Sequence, residues 1–335
     1  MTARTAVSTV VSSTGEHSDH GRTATRPEQI PATGWWDILW RLLKRLGSDN
    51  VTLVSAGLAL YALLSVFPGL AAAVSIYGLF ATPADVVKHM SAFAGILPPG
   101  VWDIFSTQLQ VITRHEQSTL TVAAAIGLVL ALWSARSSMS ALMTAMNIAY
   151  GEREKRSFLV QVLVSLSLTA GAIVGFLTML LLGIVIPVTL KIMGTHQWVQ
   201  WLGDGAQWIL LWFFTSVALT LLYRFAPARK PARWRWVSWG SAIAATLWLV
   251  MSALFALYVG AFANYGKTYG ALGGVIALLM WFYFSSILVV LGAEINAEME
   301  RQTAKDTTEG PESPPGERGA YAADTLGPTS SEAGK

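Results

Sequence analysis

The chain has 335 residues, of which 53% are hydrophobic and only 13% are charged, and its formal net charge is +3. Soluble domains carry about 25% charged residues, so this composition indicates a membrane protein. The absence of cysteine excludes disulfides, iron–sulfur clusters, thiolate zinc sites and cysteine nucleophiles.

The two ends of the chain differ in composition from the middle. Residues 1–34 are rich in Ser, Thr, His and Arg, and residues 301–335 are rich in Pro, Gly, Ser and Glu. Neither segment has a periodic apolar pattern, so we predict two disordered cytoplasmic tails. The residues between them, 35–300, form the predicted transmembrane domain.

This domain begins with a short amphipathic segment, WWDILWRLLKRL, at residues 35–46. Its charged residues recur at helical spacing, and its Trp and Leu residues lie on the opposite face. A helix with a basic face and an aromatic–aliphatic face lies in the membrane interface and does not cross it. The alternative is an ordinary amphipathic surface helix.

Six segments without charged residues follow, and each is long enough to cross a bilayer as a helix. The predicted fold class is therefore all-α, a polytopic membrane protein with a six-helix transmembrane bundle. The loop at 82–116 is expected to contain short amphipathic helices at 84–94 and 99–115, outside the cell membrane. The predicted spans are about 52–80, 118–135, 158–188, 206–224, 237–262 and 270–293.

The charges between the spans predict the orientation. Lys and Arg are frequent before the first span, after the second and after the fourth, and they are sparse in the alternate connections. Because positively charged connections remain in the cytoplasm, both termini should be cytoplasmic.

Two sets of glycines are spaced for close helix packing. Gly266, Gly270 and Gly274 are four residues apart, as are Gly171 and Gly175. Small residues at this spacing lie on one helix face and let a second helix approach closely. We expect these glycines to support helix packing, and a homo-oligomer through glycine-faced helices is an open option.

A charge pair is expected at the inner boundary of the membrane. Arg136 and Glu294 both fall there in the predicted topology, where an unpaired charge is costly. The alternative is that each side chain reaches the headgroups independently.

A transport pathway would need polar groups within the spans, and few are present. Pro68 interrupts the first span close to two polar residues, which indicates either a broken helix lining a cavity or a kinked helix packed in the bundle. No Asp or Glu falls mid-membrane, so a proton relay is unsupported. The candidate pathway residues are Tyr61, Ser65, Pro68, Tyr265, Tyr269, Tyr283 and Ser285.

Three stretches together resemble the YihY/BrkB family of bacterial inner-membrane proteins over about residues 35–300. They are LALYALLSVFPGL, LWSARSSMSALMTAMNIAYGEREKR and NYGKTYGALGGVIALLMWFYFSSILVVLGAEINAE. The resemblance implies a multi-pass protein of the cytoplasmic membrane with six helices and no settled molecular activity. Members often carry the label ribonuclease BN, which we interpret as a misassignment.

The chemistry in the sequence favours transport over catalysis. Metal-dependent RNA hydrolysis needs a cluster of His and carboxylates, and the H-x-H-x-D-H pattern is absent. We assign no catalytic, cofactor or metal residues, and we expect membrane lipids as partners but no nucleic acid. The hydroxyl and aromatic groups suit an amphiphilic or small solute, or a lipid, although the substrate is not identified. The alternative is an envelope-organising protein that binds lipid or proteins without transport, and a tRNA-processing ribonuclease is the least favoured function.

Overall fold

A computed structural model describes residues 20–78, 117–180, 197–261 and 271–332. Within these ranges the regular elements are helical, apart from an isolated antiparallel bridge between Ala232 and Thr308. A single 3-10 turn spans Pro27–Gln29. The eight α-helices of the described residues are α1 (Ala32–Ser48), α2 (Val51–Gly78), α3 (Gln117–Tyr150), α4 (Phe158–Leu180), α5 (Gln197–Phe225), α6 (Trp234–Ala261), α7 (Ala271–Glu300) and α8 (Tyr321–Asp324).

Several of these helices are long and apolar enough to cross a membrane, which confirms the all-α membrane class. Among the described residues, four segments qualify, and α1 with the first part of α2 makes a fifth if the two count as one broken span. Helices α2–α7 overlap the six predicted spans, but the count of six stays a prediction. The predicted loop helices at 84–94 and 99–115 lie outside the described residues. The four segments are Phe158–Met179, Gly205–Phe225, Trp234–Gly260 and Gly273–Glu300.

Helix α1 is separated from α2 by a bend of 64°. Asn50 lies at the break with a φ of 49°, in the left-handed region that Asn tolerates better than most residues and that commonly ends a helix. The charged Asp37 and Arg41 are buried on α1, whereas Trp36 and Leu43 are 62% and 63% exposed. Ile38 and Leu42 are buried beside them, so α1 turns a mixed polar and apolar face toward the protein.

The described residues form two compact units. The first unit takes its residues from segments 1–53, 143–249 and 287–335, and the second from segments 54–142 and 250–286. In the first unit, α4 packs against α5. The first unit also contains the buried end of α3, where Met143, Met146 and Tyr150 have no exposed surface.

Close helix packing in the first unit occurs at glycines that the sequence did not single out. A Cβ on Gly240 of α6 would lie 2.5 Å from the backbone oxygen of Gly292 on α7. Asn296 fixes this contact, since its side-chain oxygen accepts the Gly240 N–H at 2.9 Å and its amide donates to the Val237 oxygen at 3.2 Å. Tyr223 of α5 donates its hydroxyl to the Val289 oxygen at 2.8 Å.

The predicted packing role of Gly171 and Gly175 is not seen within the chain. Among the described residues, no heavy atom of a neighbour lies within 4 Å of a Cβ built on either glycine. Both are on α4, and spacing alone could not show which face of α4 meets α5. Gly266 and Gly270 lie outside the described residues, and Gly274 is in the first turn of α7.

Residues 20–34 and 301–332, which the sequence predicts as parts of two disordered tails, contact each other in the structure. The Ala304 N–H donates to the Arg22 oxygen at 2.8 Å, and the Thr303 hydroxyl donates to the Ala24 oxygen at 2.6 Å. Arg22 and Thr303 are 6% and 1% exposed. Composition predicts disorder when a segment cannot bury enough apolar surface. Here the two segments form hydrogen bonds with each other. The composition of one segment taken alone cannot reveal this pairing.

We expect Gly240→Ala to destabilise the protein by about 1–3 kcal/mol, because its methyl group would overlap backbone that cannot rotate away. Gly171→Ala is the matched control, since it adds the same methyl group to an open position on a helix. It should be neutral or stabilise the protein by about 0.5–1 kcal/mol, because Ala favours helix. Unfolding of the purified variants in detergent measures both. Equal stabilities would contradict the assigned α6–α7 contact.

Candidate functional site

The polar centre of the first unit is the carboxyl end of α7. Glu294, Asn296, Glu298 and Glu300 are all 0% exposed. Helical spacing places Glu294 and Glu298 one turn apart on one face, and Asn296 and Glu300 one turn apart on another. Each of these two faces meets different elements of the first unit.

Glu298 lies at the centre of a group of three arginines. It pairs with Arg41, with Arg45 at 3.2 Å and with Arg301 at 2.6 Å. Arg41 also donates to the Glu298 backbone oxygen at 3.1 Å and to the Gln302 side-chain oxygen at 2.7 Å. These contacts dock the charged face of α1 on the end of α7, which explains why that face is buried.

Glu294, one turn before Glu298, has fewer contacts. One of its oxygens lies 3.3 Å from Nε of Arg45. In the described part of the chain, neither of its carboxyl oxygens has a hydrogen-bond partner. Glu294 is therefore held next to a cation without the donors that Glu298 receives.

Glu300 forms a second ion pair on the other face. Arg229 Nη2 lies 2.8 Å from each oxygen of the Glu300 carboxylate, and the side chains of the pair are 2% and 0% exposed. The Thr307 hydroxyl also donates to Glu300, at 2.7 Å. The Arg229 guanidinium lies 4.6 Å from the ring centroid of Tyr150. This pair fixes the connection between α5 and α6 to the end of α7.

The C-terminal segment, residues 301–332, joins these elements. Arg22 donates to the backbone oxygens of Arg301 and Gly327, at 3.3 and 2.5 Å. Arg41 donates to the Pro328 oxygen at 3.0 Å, and the Ser330 N–H donates to Asp37 at 2.8 Å. The same segment contacts the α5–α6 connection, where the Arg233 N–H donates to the Thr307 oxygen at 2.9 Å.

A loop within the C-terminal segment is organised by Asp306. Its carboxylate accepts the Thr308 N–H at 2.9 Å, the Thr308 hydroxyl at 2.8 Å and the Ser313 N–H at 3.0 Å. Burial opposes ionisation of Asp306, but these hydrogen bonds outweigh it and lower the pKa of Asp306 below its usual value.

The structure assigns Glu294 the partner Arg45, which the sequence did not suggest. Arg136 belongs to the second unit, where its guanidinium lies 5.4 Å from the ring centroid of Trp133. The Arg136–Glu294 pair stays a prediction. The signal for Arg45 was present in the basic spacing of 35–46, but sequence alone could not show that this basic face is turned toward protein.

The described candidate pathway residues all belong to the second unit. Tyr61 is 48% exposed, and its backbone oxygen accepts the Ser138 hydroxyl at 2.8 Å. The Ser65 hydroxyl donates to the Ala62 oxygen at 2.7 Å. Sequence reasoning missed Ser138, because its partner is a backbone oxygen 77 residues away.

The remaining candidate pathway residues lie on α2, on α7 or outside the described residues. Pro68 lies within α2, and Tyr283 and Ser285 lie on α7, with the Tyr283 ring 5.6 Å from that of Phe284. Tyr265 and Tyr269 lie outside the described residues. In the part of the chain that the structure describes, no group of three or more His, Asp or Glu could hold a metal ion.

The apolar helices are long enough to cross a bilayer, and a buried ion-pair network lies at the carboxyl end of α7. These features are typical of a membrane protein. The family model described as "Virulence factor BrkB" matches residues 42–317. The chain therefore belongs to the virulence factor BrkB family, as the resemblance in the sequence implied.

Individual relatives agree with this assignment. The chain is 31% identical over 253 residues to "Putative ribonuclease-like protein YfkH" of Bacillus subtilis, covering 74% of this chain and 90% of that protein. It is 27% identical to a UPF0761 membrane protein of Idiomarina loihiensis, covering 77% and 88% of the two chains. A UPF0761 membrane protein of Cronobacter sakazakii is 26% identical, with 83% and 94% covered. No solved structure gives a significant match.

The buried Arg229–Glu300 pair should show strong coupling in a double-mutant cycle. Removing either partner leaves a buried charge alone, so Arg229→Met and Glu300→Gln should each cost about 3–5 kcal/mol. The double variant should cost much less than their sum. Lys155–Glu152 is the control pair, since Lys155 is 69% exposed at 3.5 Å and should couple by about 0–1 kcal/mol. Additive losses at Arg229 and Glu300 would show that the two side chains act independently.

The loop around Asp306 should open in acid. Because the pKa of Asp306 is lowered in the folded state, its contribution to stability is complete above the unfolded value of about 3.9 and is lost as the pH falls below it. Hydrogen-exchange protection of the Thr308 and Ser313 amides should fall with it. Asp306→Asn should remove this pH dependence, whereas the exposed Glu312→Gln should keep it. Unchanged protection of the wild-type amides in acid would contradict the assignment.

Proposed function

We propose that this protein is a transporter or channel-like protein of the bacterial cytoplasmic membrane, and that the second unit carries the pathway for an amphiphilic or small solute, or a lipid. The single observation that carries the proposal is the change in burial along α7. No residue from Gly273 to Val289 is fully buried, whereas every residue from Gly292 to Glu300 is. A helix that is partly accessible on all its faces over several turns leaves room beside it for a small molecule.

The polar groups near this open stretch suit such a molecule. The described part of the second unit contains the Tyr61 ring, the Ser138 hydroxyl and Trp281, whose indole N–H donates to the Ser252 hydroxyl at 3.3 Å. In α3, residues 133–142 are likewise never fully buried. Hydroxyl and aromatic groups in an otherwise apolar wall fit the few polar groups and the apolar body of an amphiphile.

Contacts within the first unit support an orientation with both termini on the cytoplasmic side. Arg156 donates to the Ala226 oxygen at 3.0 Å, which joins the connection after α3 to the connection after α5. The N-terminal segment from His20 and the C-terminal segment belong to the same contact network. Segments in direct contact lie on one side of a membrane, and their abundance of Lys and Arg favours the cytoplasm.

The second candidate is an envelope-organising protein that binds lipid or protein without transport. The open surface beside Gly171 and Gly175 favours it, because small residues on an exposed apolar helix let another membrane helix approach closely. A second copy of this chain is the partner that such a surface would fit. We assign no enzymatic activity, and the ribonuclease-like name of the Bacillus subtilis relative describes that protein.

Reconstituted vesicles test the transport proposal. The full-length protein is placed in liposomes of bacterial lipids, and the passage of candidate amphiphiles and fluorescent lipids is followed. The triple variant Tyr61→Phe, Ser65→Ala and Pro68→Ala should reduce the rate severalfold, since it removes two hydroxyls and the proline within α2 together. Ser238→Ala is the control, because it removes a hydroxyl that is bonded within α6 of the first unit.

An unchanged rate in the triple variant would exclude these residues as the pathway. A protein that moves no solute or lipid but forms a defined oligomer would favour the envelope-organising function.

A further inference from the structure

The carboxyl group of Glu294 is exceptional in the buried cluster at the end of α7. Its side chain is 0% exposed, and no donor in the described residues reaches either oxygen. Its neighbours along the helix are satisfied: Glu298 accepts from arginines, Asn296 bonds the α6 backbone, and Glu300 accepts from Arg229 and Thr307. The helix therefore carries one buried acid without a hydrogen-bond donor.

Arg45, the nearest cation, makes its hydrogen bonds to other carboxylates. Its Nε lies 3.3 Å from Glu294, but Nε carries a single hydrogen and donates it to Asp49 at 3.1 Å. Nη1 of the same guanidinium donates to Glu298 at 3.2 Å, and Nη2 pairs with Asp49 at 3.0 Å. Arg45 thus donates hydrogen bonds to Asp49 and Glu298, whereas it lies near Glu294 without a hydrogen bond to it.

The other groups that face Glu294 do not replace this missing donor. Asp49 faces it from the end of α1, and Glu298 faces it from one turn further along α7. Tyr150 lies near it from the end of α3. The remaining arginines of the cluster, Arg41 and Arg301, are paired with Glu298. An ionised carboxylate is strongly disfavoured in a buried site that offers it no donors, and a bound proton removes the charge.

We propose that Glu294 is a proton-binding site that holds a proton at neutral pH. The hydrogen of the protonated carboxyl is donated to the Asp49 carboxylate, which faces it. Asp49 is 20% exposed and connects the site to solvent. On release, the O–H bond of Glu294 breaks, its electron pair stays on the carboxylate, and the proton passes by way of Asp49 to water.

The sequence did not indicate a proton-binding group at this position. A proton relay was expected only from carboxylates in the middle of a span, and Glu294 is near the end of one. The proposal concerns proton binding and holds whether or not the second unit transports a solute.

Infrared difference spectroscopy of the full-length protein in detergent tests it directly. A protonated carboxyl has a C=O stretching band that an ionised carboxylate lacks. The wild type should show this band at neutral pH and lose it in alkali. Glu294→Gln should lack the band throughout, whereas Glu312→Gln, which changes an exposed carboxylate, should keep it. Absence of the band from the wild type, or its persistence in Glu294→Gln, would overturn the proposal.

Stability gives a second, independent measurement. Gln is a neutral isostere of protonated Glu, so Glu294→Gln should melt with the wild type below about pH 4, where the carboxyl is protonated in both the folded and the unfolded state. At neutral pH the variant should melt above the wild type, because Glu294 ionises in the unfolded wild type. Raising the pH should lower the melting temperature of the wild type more than that of the variant. Failure of Glu294→Gln to fold, or a large loss of stability at neutral pH, would indicate an ionised Glu294 and overturn the proposal. Solute flux in vesicles is a separate readout, so the two proposals can fail independently.

Discussion

Buried charge at the end of α7 is the constraint that organises the first unit. Glu298 and Glu300 have no exposed surface, so each must have cations and donors within the fold. The donors come from α1, from the α5–α6 connection and from the C-terminal segment. Elements far apart in sequence are therefore held together by the requirement to satisfy two carboxylates. Removing one partner of such a pair is far more costly than the net stability that the pair contributes.

The same constraint explains the unusual orientation of α1. In a soluble protein the Trp and Leu face of this helix would turn inward, but here Arg41 is buried and Trp36 is exposed. Arg41 and Arg45 find their partners on α7, whereas Trp36 and Leu43 stay exposed. This combination suits the boundary of a bilayer, where protein supplies the polar contacts and hydrocarbon supplies the apolar ones. The left-handed Asn50 makes the arrangement possible, because it ends α1 before the bend into α2.

Packing along α7 changes with the residues that it carries. Gly292 and Asn296 meet Gly240 so closely that a methyl group does not fit, and the helix is sealed there. From Gly273 to Val289 the helix is partly accessible. A sealed, polar end and an accessible, apolar stretch therefore occur on one helix. Membership of the BrkB family places the chain among membrane proteins. It does not assign a molecular activity.

The sequence by itself determined the membrane class, the positions of the long helices and the family, because an apolar run of spanning length is a local property. It also indicated that Glu294 falls at the inner boundary, where the last predicted span ends. Tertiary structure decided the partners: Arg45 beside Glu294, Gly240 against Gly292, and a C-terminal segment that is ordered against the N-terminal one. These contacts join residues up to 305 positions apart. Helical periodicity describes which residues share a face, but only the packed fold shows what that face meets.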